Sequence, residues 1–86
     1  MSNHTAQRSL GITLREIREQ RGISQGALAQ HAGLNRSFVS EIERGRANPS
    51  LGSLEKLAFA LGMTVTDLLV AADQSSNNQG EQQAFV

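Results

Sequence analysis

Four of the eight glycines divide this chain into short segments, and each follows a stretch of apolar residues at helical spacing. Glycine ends helices because it adopts the left-handed backbone conformation at no steric cost. The four positions are Gly22, Gly33, Gly45 and Gly62. No stretch alternates apolar and polar residues as a half-buried strand would. The sequence therefore predicts a compact all-α fold of five helices.

The starts of these segments carry residues that cap helix N-termini. A Ser, Thr or Asn side chain there accepts a hydrogen bond from an N–H group that has no partner inside the helix. The predicted caps are Ser9, Ser24, Asn35, Ser50 and Thr64, and Asp67 completes a capping box with Thr64. The caps and glycines together predict helices over residues 10–21, 25–32, 36–44, 51–61 and 65–72.

The helical segments define one domain over residues 9–72, as the length of 86 residues and the hydrophobic content of 38% allow. Residues 1–8 have little apolar content and are predicted to form a flexible N-terminal arm. Residues 73–86 are rich in Gln, Asn, Ser and Gly. Such a segment buries too little apolar surface to offset its ordering entropy, so we expect a disordered tail.

Several functional classes are disfavoured by what the chain lacks. It has no cysteine, which excludes disulfides and thiolate zinc sites. His4 and His31 have no metal-ligand spacing, so no metal and no cofactor is expected. A G-x-S-x-G nucleophile elbow and a glycine-rich phosphate loop with lysine are also missing, so we expect no enzyme activity. No apolar run is longer than residues 68–72, which are too few for a membrane span or a signal-peptide core, and we expect a cytoplasmic protein with no membrane contact.

The formal net charge is zero, but the charges are unevenly distributed. Residues 8–46 contain seven arginines and four glutamates, a net charge of +3, and residues 47–86 carry a net charge of −3. Asymmetry of this kind indicates a face that binds nucleic acid or a membrane surface. A random scatter of charge in a short chain is the alternative.

The second and third predicted helices, joined by a turn at residues 33–35, have the layout of a helix-turn-helix. Helical bundles also contain such pairs, so the functional interpretation depends on what the third helix exposes. If Phe38, Val39 and Ile42 face inward, the outer face carries short or planar polar side chains of the types that contact base edges in a major groove. These outer residues are Arg36, Ser37, Ser40, Glu41 and Arg44.

Residues 22–45, from Gly-Ile-Ser-Gln to Glu-Arg-Gly, resemble the helix-turn-helix of the phage repressor/Cro-type (XRE) family. The resemblance continues through Asn-Pro-Ser-Leu at 48–51 to about residue 69. It implies a lambda-repressor-like domain that binds a palindromic operator in double-stranded DNA as a homodimer, with residues 36–44 in the major groove. It also implies a transcriptional regulator, either a repressor or an autoregulatory controller, similar to stand-alone regulators such as restriction–modification controller proteins.

The resemblance also implies roles for individual residues. The residues at base-contacting positions are Asn35, Arg36, Ser37, Ser40 and Glu41. The residues at phosphate-contacting positions are Ser24, Gln25, Arg44, Arg46 and Asn48. Arg18 and Glu43 match a structural ion pair between the first and third helices. Two alternatives stay open: Arg36 binds only phosphate, or Glu41 pairs with Arg44 on one helix face instead of contacting a base.

The chain departs from the family pattern after Ser24-Gln25, where most members carry two acidic residues and this sequence has Gly26 and Ala27. The reciprocal capping glutamate is therefore missing, and the face that meets DNA should be more basic. Gly52 similarly replaces a helix-forming residue at the start of the fourth helix. We expect neither change to alter the fold.

The fifth predicted helix contains adjacent apolar residues that one helix face cannot bury in so small a core. We therefore predict that Val65, Leu68, Leu69 and Val70 form the dimer interface, the alternative being that they close the core of the monomer. Two other functions remain open. One is a DNA-binding antitoxin whose tail, residues 73–86, binds a protein partner, and the other is an interaction adaptor that does not bind DNA.

Overall fold

The computed structural model describes the backbone of residues 2–84 and the side chains of residues 6–75. Its five α-helices are α1 (Ser2–Gln20), α2 (Gln25–Ala32), α3 (Arg36–Glu43), α4 (Leu51–Ala60) and α5 (Val65–Ala84). The described residues contain no strand, so the predicted all-α, five-helix fold is confirmed. Within the same residues, no helix combines the length and apolar character needed to cross a membrane.

The inner helix ends follow the capping signals in the sequence. Ser24, Asn35 and Ser50 each accept a hydrogen bond from a backbone N–H two or three residues further on, at 2.8–3.1 Å. Thr64 and Asp67 form the predicted capping box, with 3.0 Å from Asp67 N to Thr64 Oγ1. The four segment-ending glycines have φ angles of +69° to +75°. The local rules for starting and ending helices are therefore sufficient for α2 and α4 and for the start of α5.

All five helices contribute to one apolar core. Its fully buried side chains are Leu14, Leu28, Val39, Ile42, Leu57 and Leu68. Complete burial of an aliphatic side chain stabilises a fold by about 1.5–3 kcal/mol. Helix α1 packs against α3 and α5, and α2 packs against α3 and α4. Leu51 is exposed at the first position of α4.

Helix α1 begins at Ser2, whereas the sequence predicted a flexible arm over residues 1–8 and a cap at Ser9. Ser9 is buried inside the helix and caps nothing. Gly11 lies so close to α3 that a Cβ atom on it would clash with the carbonyl oxygens of Ile42 and Glu43. Once this packed segment is helical, adding residues at its end costs little because nucleation is complete. Met1 lies outside the described residues.

Helix α5 extends to Ala84, where the sequence predicted a helix ending at residue 72 and a disordered tail over 73–86. Ala72 is buried, so packing fixes the helix up to that turn. The sole proline of the chain is Pro49, and the following residues therefore contain none to interrupt the backbone hydrogen bonds. Residues 85–86 lie outside the described residues.

Candidate nucleic-acid interface

The turn between α2 and α3 is fixed by backbone hydrogen bonds. Gly33 adopts φ +69°, and its N–H donates to the Gln30 carbonyl oxygen at 3.2 Å. The Leu34 N–H donates to the Ala29 carbonyl oxygen at 2.8 Å, and the Leu34 side chain packs against the core. This is a Schellman ending, which sets the direction in which the chain leaves α2. The start of α3 is therefore held relative to α2.

Helix α3 buries one face and presents the other to solvent. Val39 and Ile42 are fully buried and Phe38 is half-buried. The outer face carries the polar residues predicted from the sequence: Arg36, Ser37 and Arg44 are exposed, and Ser40 and Glu41 are half-buried. The structure thus brings four of the five predicted base-contacting residues onto one helix face.

Asn35, the fifth predicted base-contacting residue, caps α3. Its Oδ1 atom accepts a hydrogen bond from the Ser37 N–H at 2.8 Å. The side-chain amide group carries two further N–H donors. Asn35 therefore keeps its Nδ2 donors for a further contact while it caps α3.

Arg44 and Glu41 form an exposed ion pair, with 3.8 Å from Arg44 Nη1 to Glu41 Oε2. Exposed pairs of this kind contribute about 0–1 kcal/mol, so the contact is easily exchanged for another. The pairing of Glu41 with Arg44, left open by the sequence, is thus present in the free protein. Because this ion pair is weak, the Arg44 side chain can turn toward a DNA phosphate.

The loop after α3 is held against the helix end. Gly45 has φ +75°, and the Arg46 N–H donates to the Glu41 carbonyl oxygen at 2.9 Å. The backbone of this loop is consequently anchored, and the side chains of Arg46 and Asn48 remain exposed. Pro49 is buried and leads into α4.

The N-terminus of α2 lies beside the end of α3. Gln25 Nε2 donates to Glu43 Oε1 at 2.9 Å, which uses one of its two N–H donors and leaves the other for a ligand. Ser24 Oγ accepts from the Ala27 N–H at 3.0 Å. The first backbone hydrogen bond of α2 runs from the Leu28 N–H to the Ser24 carbonyl oxygen, so the N–H groups of Gln25 and Gly26 precede it. Such N–H groups and the positive end of the helix dipole together attract anions.

Arg18 and Glu43 form a largely buried ion pair that joins α1 to the end of α3. Arg18 Nε lies 2.7 Å from Glu43 Oε2, and Arg18 Nη1 donates to the Ile23 carbonyl oxygen at 2.8 Å. The hydrogen bond to Glu43 raises the pKa of Arg18 above its usual value. The guanidinium therefore stays charged beside the carboxylate, and the pair holds α3 in position.

Arg8 is a basic residue at this surface that sequence reasoning assigned to a flexible arm. A Cβ atom on Gly45 would lie 3.0 Å from Arg8 Cγ and 3.3 Å from Arg8 Cα. The exposed Arg8 therefore packs against the loop that carries Arg44 and Arg46. The sequence signal for Arg8 was its place at the start of the basic segment, residues 8–46. Its contact with Gly45 could not be predicted, because the two residues are far apart along the chain.

The helix-turn-helix family model matches residues 9–71 of the chain, which is most of its length. The chain belongs to the helix-turn-helix family.

Known relatives extend this finding. This helix-turn-helix protein is 38% identical over 79 residues to the immunity repressor protein of Bacillus phage phi105, covering 86% of this chain and 55% of the repressor. It is similar to the restriction–modification controller protein C.AhdI from Aeromonas hydrophila, with 44% identity, 72% of this chain and 94% of that chain covered, and a TM-score of 0.71. It is also similar to the clp gene regulator ClgR from Corynebacterium glutamicum, with 32% identity, 93% and 85% of the two chains covered, and a TM-score of 0.84.

These comparisons confirm the resemblance to phage repressor/Cro-type regulators and to controller proteins. The chain spans about half the length of the first curated relatives it matches, from 43% to 58%. Its family and fold are those of DNA-binding regulators. Among the described residues of this helix-turn-helix protein, no three His, Asp or Glu side chains form a group that could hold a metal ion.

The residues predicted for a dimer interface of this helix-turn-helix protein separate into two sets. Leu68 is fully buried in the monomer, so its assignment to the interface is wrong: it closes the core, as the alternative interpretation held. Leu69 and Val70 are 41% and 47% exposed, and Val65 is half-buried. Of the four predicted residues, Leu69 and Val70 are therefore the exposed ones.

Proposed function

We propose that this helix-turn-helix protein is a transcriptional regulator that binds double-stranded DNA sequence-specifically, with α3 in the major groove. The observation that carries the proposal is the outer face of α3, which presents Arg36, Ser37 and Ser40 beside the N-terminus of α2. An α-helix fits the major groove, where each base pair presents a distinct pattern of donors and acceptors. The proposal assigns the chain no catalytic activity.

The residues divide into two roles in this proposal. Arg36 donates two hydrogen bonds to a guanine, while Asn35, Ser37, Ser40 and Glu41 contact or exclude neighbouring bases. The phosphate contacts fix the register of α3 and come from both sides of it. They are Ser24, Gln25, Arg44, Arg46, Asn48 and, from the structure, Arg8.

The functions of the matched proteins support a role for this chain in the regulation of gene expression. The matched proteins include a phage immunity repressor, a restriction–modification controller and a clp gene regulator. We propose repression or autoregulatory control for this chain, exerted on DNA in the cytoplasm.

One α3 contacts only a few base pairs, so useful specificity requires two copies. We propose a homodimer formed around Leu69 and Val70 of α5, which binds two half-sites related by a two-fold axis. The half-sites should lie about 10 bp apart, or a multiple of that, because equivalent groove faces repeat once per helical turn.

Binding-site selection from random duplexes with the purified full chain tests this proposal. We expect a palindromic motif whose affinity falls as salt rises, since phosphate contacts release counterions. The variant Arg36→Ala should bind that motif about 10- to 100-fold more weakly. The matched control is Lys56→Ala, which removes the same charge from the exposed side of α4.

The other outcomes are distinct. A motif without two-fold symmetry would contradict the dimer but not DNA binding. Absence of any salt-dependent affinity, even at low salt, would contradict DNA binding and favour the adaptor. A selective DNA-binding protein that also captures a toxin through residues 73–86 would instead be an antitoxin.

A further inference from the structure

The side chain of Arg36 passes over a position in α2 that has no side chain. A Cβ atom placed on Gly26 would lie 3.7 Å from Arg36 Cδ and 4.0 Å from Arg36 Nε. These are ordinary van der Waals distances, so a larger residue at 26 would contact Arg36 without displacing the backbone. A carboxylate on a side chain at this position is within reach of the guanidinium.

Among the described residues, Arg36 has no carboxylate partner, unlike three other arginines of this region. Arg15 pairs with Glu19, Arg18 with Glu43 and Arg44 with Glu41. The part of the chain that the structure describes gives Arg36 no ion pair of this kind. Its exposed guanidinium therefore keeps all its donors for a ligand.

Local stability alone would favour another residue at position 26. Glycine weakens a helix relative to alanine, and an acidic residue in the first turn interacts favourably with the helix dipole. Helix α2 nevertheless has no acidic residue in its first turn.

We propose that Gly26 determines DNA specificity by leaving Arg36 without a carboxylate neighbour, so that its guanidinium is free to bind guanine. This inference rests on the proposed function. A glutamate at position 26 would form an ion pair with Arg36 and compete with the base for the same N–H donors. Gly26 is a positioning residue and makes no base contact of its own.

The test compares Gly26→Glu with the uncharged Gly26→Gln, each alone and combined with Arg36→Ala. The probes are the selected duplex and a duplex with its guanine replaced, measured by fluorescence anisotropy. We expect Gly26→Glu to bind the selected duplex about tenfold more weakly than Gly26→Gln and to lose most preference for guanine. In the Arg36→Ala background the two variants should differ by less than about threefold.

Gly52→Glu is the matched charge control. Gly52 occupies the same position in α4 that Gly26 occupies in α2, two residues after a capping serine. A Cβ atom there would meet only Ser50 Oγ, at 3.8 Å. Gly52→Glu therefore adds the same charge without reaching Arg36, and its preference for guanine should equal that of the unsubstituted protein.

Two results would overturn the inference while the proposed function stands. In the first, Gly26→Glu and Gly26→Gln bind alike. In the second, Gly26→Glu binds more weakly than Gly26→Gln by the same factor with and without Arg36. The new carboxylate would then repel DNA phosphates in general and would not act through Arg36. If the unsubstituted protein binds no duplex, the proposed function fails and the inference fails with it.

Discussion

Glu43 holds Arg18 through both of its carboxylate oxygens, 2.7 Å from Nε to Oε2 and 3.0 Å from Nη2 to Oε1. The side chains are only 10% and 3% exposed for Arg18 and Glu43. Gln25 donates to the same carboxylate, so the pair also fixes the start of α2. One ion pair thus sets the mutual positions of α1, α2 and α3, and with them the surface proposed to bind DNA.

Replacing Arg18 by methionine should destabilise the domain strongly. The change keeps the apolar stem but leaves the Glu43 carboxylate buried without its cation, and such breaks cost about 3–5 kcal/mol. Urea unfolding followed by circular dichroism measures the loss. Arg15→Met is the control, because its pair with Glu19 is exposed and should contribute less than about 1 kcal/mol. Equal losses in the two variants would contradict a structural role for the buried pair.

Gly45→Ala should destabilise the fold more than Gly62→Ala. Both glycines are left-handed, at φ +75° and +73°, and an alanine in that conformation costs about 1–2 kcal/mol. Only at Gly45 does the new methyl group also meet a neighbour, 3.0 Å from Arg8 Cγ and 3.3 Å from Arg8 Cα. Nothing lies within 4 Å of the corresponding position on Gly62. Thermal unfolding of the two variants measures the difference in stability. Equal losses of stability would mean that Arg8 of α1 does not pack against the loop at Gly45.

The inner helix boundaries were predictable because their signals are local. Ser24 and Gly33 specify the two ends of α2 by hydrogen bonds within a few residues. The outer ends of α1 and α5 carry no such signal. The lengths of α1 and α5 depend on how far each helix extends beyond its packed segment. Neither capping residues nor amino-acid composition indicates that distance.

The sequence predicted the part of the candidate DNA-binding site that lies on one helix, α3. The outer face of α3 follows from helical periodicity once Val39 and Ile42 face inward. Apart from the Arg18–Glu43 pair, which the family resemblance implied, contacts between distant segments were not predictable. The packing of Arg8 against Gly45 and the burial of Leu68 instead of Leu69 depend on how α1 and α5 cross the core.

Arg8→Ala should weaken DNA binding without affecting stability. The side chain is exposed beside the loop that carries Arg44 and Arg46, so we expect one phosphate contact to be lost. The slope of log affinity against log salt should then decrease by about 1, equally for specific and non-specific duplexes. Lys56→Ala removes a positive charge from α4 and should leave the slope unchanged. An unchanged slope for Arg8→Ala would remove Arg8 from the interface.

Leu69→Glu should separate the proposed dimer into folded monomers. Leu69 and Val70 are substantially exposed on α5, and a charge between two apolar faces would be buried without a partner. Sedimentation velocity should give the mass of one chain, and affinity for a palindrome should fall while affinity for a single half-site stays the same. Leu68→Ala provides the contrast, because truncating this fully buried side chain should cost about 2–5 kcal/mol of stability. A Leu69→Glu variant that remains dimeric would show that the two copies meet through another surface.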